Sequence, residues 1–295
     1  MRRELKIMAL LFLTASFTDV QAGKPWPKLV DVVVRASVTM EAEGYLYSYA
    51  VSNSLKNELG IDVFAIDIRK IPAEHPFSSK HITIAHNIEN HLKAISQGER
   101  IQPMRIYGPQ PWKTFGRPTW NLMNSPGVLL VPGEIQTGFR ISAKETPGIR
   151  EFITKGTNYD FYSLPEQYDF SGTRDEMDAA YSAGIEFLGK TIAPVAPPEP
   201  FTVSSWTARM LADAQEARKL GWIKTDAGLK EIQKLLKTLN TKDINRLQKA
   251  VQNIEQYVSQ EVKAGKLTEE ADALVRLNAL YLFKRLKESE KPKKK

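Results

Sequence analysis

Two hydrophobic periods divide the chain, and they change near residue 195. Before that point apolar residues recur at every second position in short runs. Leu29 to Val38 carries Val30, Val32, Val33 and Val34, and Gly44 to Asn53 alternates Tyr45, Tyr47, Tyr49 and Val51 with Leu46, Ser48, Ala50 and Ser52. Successive side chains of a strand point to opposite faces, so the second run predicts a strand with one aromatic face. Further strands are predicted over 61–68, 104–107, 119–123, 128–131, 138–142 and 149–154, with Pro-Gly pairs at 126–127, 132–133 and 147–148 between them. Short strands punctuated in this way argue for an antiparallel sandwich and against a βαβ fold. Two assignments stay open over 174–188: a helix face of Met177, Ala180, Tyr181 and Gly184, or a closing strand over 185–192.

Beyond residue 202 the apolar period is 3.6. A helix is predicted from Ser204 to Leu220, stopping at Gly221. A second begins after Thr225 or Asp226 and carries Leu229, Ile232, Leu235, Leu236 and Leu239. Thr241 is placed to cap a third, with Ile244, Leu247, Val251, Ile254 and Val258 on one face, and Thr268 to cap a fourth with Leu274, Leu277 and Tyr281. Glu269 and Glu270 fall in that last helix's first turn, where the helix dipole favours negative charge. One broad apolar face per helix predicts an antiparallel bundle. Between the two regions, Ala193 to Pro200 places four prolines in seven positions, which predicts an extended, semi-rigid spacer.

The amino terminus reads as a targeting segment. Arg2, Arg3 and Lys6 precede an apolar run from Ile7 to Phe17, and Val20-Gln21-Ala22 ends it in the small-x-small pattern of a cleavage site. The run is too short to span a bilayer, which needs about 20 apolar residues. The expectation is therefore a signal peptide cleaved after Ala22, and an extracytoplasmic protein, periplasmic or secreted. With no cysteine in the sequence, disulfides, thiolate zinc sites, cysteine nucleophiles and a lipidated cysteine are all excluded.

Charge sharpens the division. The chain carries a formal +7, yet residues 201–295 hold 20 Lys and Arg against 12 Asp and Glu, a net of +8. An exported protein does not meet nucleic acid, so the basic region points to anionic polymers or envelope partners, or simply to solubility.

The helical region carries Gly221-Trp222-Ile223, then Ala250-Val251-Gln252-Asn253-Ile254-Glu255-Gln256-Tyr257-Val258, then Ala264-Gly265-Lys266-Leu267-Thr268-Glu269-Glu270-Ala271. With these segments it resembles the FIMAH-type helical modules appended to secreted bacterial proteins. The likeness covers about residues 204–288. The preceding region is similar to Ig-like domains of exported bacterial proteins, through Tyr45-x-Tyr47-x-Tyr49-x-Val51-x-Asn53, Val131 to Phe139 and Gly189-Lys190-Thr191-Ile192-Ala193-Pro194. These resemblances imply accessory surface or envelope modules with no catalytic residues to carry over.

Candidate chemistry is sparse. His75, His81, His86 and His91 fall within 17 residues, but their gaps of six, five and five match no helical zinc pattern, and His81 and His86 would point to opposite faces of a strand. A Gly-x-Ser-x-Gly elbow, a phosphate loop, a dinucleotide fingerprint and an EF-hand are all missing from the sequence. Carboxylates cluster in the loop 158–178, where Tyr159 and Tyr162 also stand. Trp112, between likely strand ends in Pro111-Trp112-Lys113, is the tryptophan expected to expose its ring for a ligand, whereas Trp120 and Trp222 are expected in cores.

The expected protein is thus β plus α: a signal peptide over 1–22, an Ig-like antiparallel β-sandwich over 23–193, a Pro-rich linker over 194–203, a small helical bundle over 204–288 and a basic tail over 289–295. It is expected to bind or scaffold without catalysis at the envelope or outside the cell. No cofactor is called for. The partner would be an envelope or extracellular protein or an anionic polymer, with no nucleic acid and no integral membrane segment after cleavage. The competing expectation is a carbohydrate-binding or carbohydrate-active protein that uses the sandwich surface, with Trp112, Tyr159 and Tyr162 as ligand residues, and a third is a metal-dependent activity with His75, His81, His86 and His91 as metal ligands.

Overall fold

The computed structural model describes residues 27–68, 105–114, 119–121, 129–157, 184–241 and 243–289. The expected signal peptide, the four histidines, Tyr159 and Tyr162 lie outside them. The described residues form two antiparallel sheets and a helical unit, a mixed β-plus-α architecture. The first sheet has the order β1 (Val32–Glu41), β2 (Gly44–Asn53), β7 (Ile135–Ala143), β4 (Arg105–Tyr107). The second has the order β5 (Lys113–Thr114), β6 (Thr119–Asn121), β3 (Gly60–Ile66), β8 (Thr146–Thr157), β9 (Glu186–Val195).

Period-two patterning explains how the sheets face each other. Tyr45, Tyr47, Tyr49 and Val51 of β2 are all buried, so the aromatic face lies inside. Phe64 occupies the centre of the core. It stacks on Trp120 at 5.1 Å between centroids and meets Phe139 of the opposite sheet edge-on at 5.2 Å. Tyr49 and Phe152 complete the cluster around the same ring. Edge-on and offset contacts of this kind add to the burial of large apolar area. The Trp120 indole N–H is satisfied by the Tyr107 carbonyl at 2.8 Å.

Three sequence expectations change. Of the run 128–131, residues 129–131 are described, and among them Leu130 makes an isolated bridge to Ile61 in place of a strand. The open segment around 185–192 is a strand, and β9 extends through Pro194 and Val195, the first part of the expected spacer. The strand expected over 149–154 begins earlier, at Thr146, and runs through the Pro147-Gly148 pair that reads as a turn.

Strand geometry accounts for that last difference. Pro147 stands opposite Pro194 in the β8–β9 register, and neither residue has an N–H to exchange. They fit only where the paired residues do not hydrogen-bond to each other, and there each main chain turns its polar groups away from its partner. Glu151, four residues along and of the same parity, accordingly offers its carbonyl to the Asp67 N–H on the side away from β9. The Pro147 carbonyl faces the same way, beyond the reach of β3, and would be orphaned without another partner.

The helices supply it. The unit consists of α1 (Val203–Lys219), α2 (Asp226–Lys237), α3 (Ile244–Lys263), α4 (Glu269–Asp272), a π-helical turn (Ala273–Leu277) and α5 (Asn278–Ser289). Arg209 of α1 donates to the Pro147 carbonyl at 3.0 Å and Asn278 Nδ2 donates to the same oxygen at 2.9 Å. The Trp206 indole N–H donates to the Asn278 carbonyl at 3.0 Å, and Arg209 lies over the Trp206 ring. Burial raises the pKa of Asp213, while its ion pair with Arg209, 3.4 Å away, opposes the shift. At the other sheet's edge, Glu270 Oε1 accepts the Ala36 N–H of β1 at 2.9 Å. The helical unit therefore meets the β1 edge and the start of β8, and apolar burial runs unbroken from the sheets into the helices.

Within the unit, two helix–turn–helix segments repeat one chemistry. α1 and α3 have Leu220 and Ala264 as C-cap residues, each followed by a left-handed glycine, Gly221 (φ 76°) and Gly265 (φ 67°). Both ends make the paired capping bonds of a Schellman motif, Trp222 N–H to the Ala217 carbonyl and Lys266 N–H to the Glu261 carbonyl, each at 2.9 Å. A buried aliphatic follows in each turn, Ile223 and Leu267, and these two pair as an isolated antiparallel bridge. Thr225 caps α2 through its side chain as expected, but Thr268 makes no side-chain cap bond, and Asp243 rather than Thr241 caps α3. Among the described residues, no helix is long and apolar enough to cross a membrane.

Gly148 is the close-approach point of the docking. A Cβ there would fall 2.7 Å from Arg209 Nη2 and closer still to Val195. Gly148→Ala is therefore expected to push Arg209 off the Pro147 carbonyl and to cost about 1–3 kcal/mol. Thermal denaturation followed by circular dichroism measures this, and an unchanged midpoint would refute the docking geometry.

Candidate functional site

Where the first sheet's outer face meets the helical turns, the chain leaves a cleft of about 740 Å³. Its floor is made by side chains of β1, β2 and β7 that point away from the core. Cross-strand register sets Arg35, Ala50 and Thr137 in one row, and Ser37 and Ser48 in the next. All are small except Arg35, so the floor stays low. The extra residue in β7 is Gly138, between the pairs Tyr49–Phe139 and Ala50–Thr137.

The wall belongs to the two turns joined by the Ile223–Leu267 bridge. Trp222 is held in place on both sides: its N–H donates to the Ala217 carbonyl at 2.9 Å and its carbonyl accepts the Thr268 N–H at 3.0 Å. Its ring is half-buried, packed on the helical core and bordering the cleft. Lys224 and Glu269 are exposed on the same wall, and Thr268 Oγ1 has no hydrogen-bond partner among the described residues. Glu270 joins wall to floor through its bond to the Ala36 N–H.

Arg35, Lys224 and Glu269 form no ion pair among the described residues. The cleft thus combines one fixed aromatic ring, several hydroxyls and uncommitted charges of both signs. A concave site of several hundred Å³ with a few converging polar groups is the usual form of a small-ligand pocket.

Of the residues expected to bind from sequence, Trp112 is the one among the described residues, and it does not line the cleft. Trp112 is 4% exposed, with its ring edge-on to Phe139 at 5.0 Å, so the expectation of an exposed ring is corrected: it is a core residue. Packing against the aromatic cluster outweighs its place between Pro111 and Lys113. Trp120 is buried as expected. Trp222, expected in the core, is the tryptophan that borders the cleft. Its position immediately after a left-handed glycine was the available signal, because a side chain there sits at the rim of a helix pair. Tyr159, Tyr162, His75, His81, His86 and His91 lie outside the described residues. Among the described residues, no group of three or more histidines and carboxylates could hold a metal ion. Comparison with protein families, with curated proteins and with solved structures finds no match to this chain.

A second charged cluster lies on the second sheet. Lys155 of β8 is opposite Glu186 of β9, and on its other side β3 shifts register at Asp62, between Ile61 and Val63. Burial pushes the Asp62 carboxyl up to about 6 and that of Glu186 up to about 7, with Lys155 opposing both. A carboxyl whose pKa is raised by folding binds protons more tightly in the native state. Its ionised form weakens the fold above the raised pKa, and that penalty disappears as pH falls toward the ordinary carboxylate range. The melting midpoint is accordingly expected to rise by a few degrees from pH 8 to pH 5, and to rise less in Glu186→Gln. Equal pH slopes for the two proteins in differential scanning calorimetry would refute the assignment.

Proposed function

We propose that this chain is an exported, non-catalytic binding protein of the cell envelope or extracellular space, and that its ligand site is the cleft between the first sheet and the helical turns. The observation that carries the reading is the cleft: a concave, polar-and-aromatic surface on which Arg35, Lys224 and Glu269 form no ion pair among the described residues. Export is supported by the charged, apolar and small-residue segments that end at Ala22. On this reading the facing sheets are an Ig-like sandwich and the helices an antiparallel bundle of the FIMAH type. The two are clamped together so that the site is built from both. The net +8 of residues 201–295 suits an envelope protein or anionic polymer as the wider partner.

The test has two arms. Full-length protein expressed in a bacterium is expected outside the cytoplasm and shortened to begin at Gly23, whereas a chain lacking residues 2–22 stays inside. Mass spectrometry of the fractions measures this, and an unprocessed cytoplasmic full-length chain would refute export. In the second arm, purified protein is mixed with solubilised envelope material and followed by hydrogen exchange. Protection is expected at 33–37 and 220–224, and unchanged exchange there would refute the cleft as the site.

A further inference from the structure

Resting on that reading, we infer that the cleft is a saccharide site, in which a sugar ring packs on Trp222 and its hydroxyls are held by Arg35, Glu269 and the hydroxyls of the floor. Three features select this ligand class. The first is the aromatic platform. The Trp222 main chain is bonded to α1 on one side and to the second turn on the other, so little ordering is needed on binding. An indole offers a large flat face that suits the C–H face of a pyranose.

The second is charge. Arg35 and Lys224 are balanced by Glu269 and Glu270, so the site favours no strongly charged ligand. A guanidinium and a carboxylate are instead the donor and acceptor forks that engage adjacent ring hydroxyls, and Ser37, Ser48 and Thr137 add short partners below them.

The third separates a saccharide from a peptide. β1 is the edge strand of its sheet, and an extended peptide would be recognised there by adding a strand. The Ala36 N–H on that edge is already taken by Glu270 Oε1 at 2.9 Å, and Glu270 is 6% exposed. A carboxylate in the place of a strand carbonyl blocks main-chain pairing along the edge. It leaves the side-chain surface as the means of recognition, and that surface is hydroxyls, a charge pair and one ring.

The experiment is an array of neutral and charged oligosaccharides probed with the full chain, followed by calorimetric titration of each hit. Saturable binding of a neutral oligosaccharide is expected, weakened about tenfold or more in Arg35→Ala and in Trp222→Ala and largely kept in Trp222→Phe. Arg35 is exposed, so its variant tests the site even if Trp222→Ala disturbs packing. Failure of every saccharide, together with binding of an extended peptide that protects 33–37 and 220–224 from exchange, would overturn the ligand class and keep the cleft as a binding site. Saccharide binding insensitive to both variants, or no binding of either ligand class, would overturn the cleft as well.

Discussion

The Pro147 carbonyl has no partner in its own sheet, and satisfying it ties the two halves of the molecule together. A buried carbonyl left unpaired costs about 1–3 kcal/mol. Here it draws a guanidinium from α1 and an amide from α5, residues that are 62 and 131 positions away in sequence. The donors are themselves fixed. Asn278 also donates to the Leu274 carbonyl and is pinned at its main chain by Trp206, while Arg209 lies over that same tryptophan. Pro147 and Pro194 matter because they lack donors: each makes the β8–β9 ladder leave its outward side to the helices.

The consequence reaches the cleft, which exists only while the helical turns are held against the first sheet. Glu270 makes the corresponding contact at the β1 edge, so the same helical unit holds both sheets. Because apolar burial is continuous across the junction, rotation of the helices about the proline-rich segment would expose Trp206, Leu274 and Leu277 together. At about 25 cal/mol per Å² of apolar surface, such exposure is costly enough to keep the wall in place. A stretch of prolines that reads as a spacer is better understood as the last residues of a strand followed by a short path to a docked helix.

Local patterns were largely legible in the sequence, and junctions were not. The alternation of Tyr45, Tyr47 and Tyr49 gave away β2 and its inward face, and the leucine and isoleucine spacing gave away the helices with Gly221 and Gly265 as stops. These signals depend on neighbours a few residues apart. Pro147-Gly148 misled because its strand character depends on Pro194, which local sequence does not reveal. Trp112 misled for the same reason. Polar neighbours suggest an exposed ring, but Phe139, 27 residues on, determines its burial. The cleft was illegible in kind: its floor comes from residues 33–37, 48–50 and 137–138, and its wall from 220–224 and 268–270, and nothing in either stretch names the other.

That division also explains why the site carries little charge although the helical region is strongly basic. The lysines of α2 and α3 are exposed to solvent, where their charge is screened over about 10 Å. At the cleft, by contrast, burial and the need to cap the β1 edge placed Glu270 against the sheet. A ligand that bridges Arg35 on the floor and Trp222 on the wall binds the docked arrangement and not the separated one. Its affinity then adds to the clamp at Pro147, since anything that binds only the native state stabilises it by RT ln(1 + c/Kd) at free ligand concentration c. Docking and binding are two readings of one equilibrium: the contact that satisfies an orphaned carbonyl on one side of the helices shapes the surface that a ligand meets on the other.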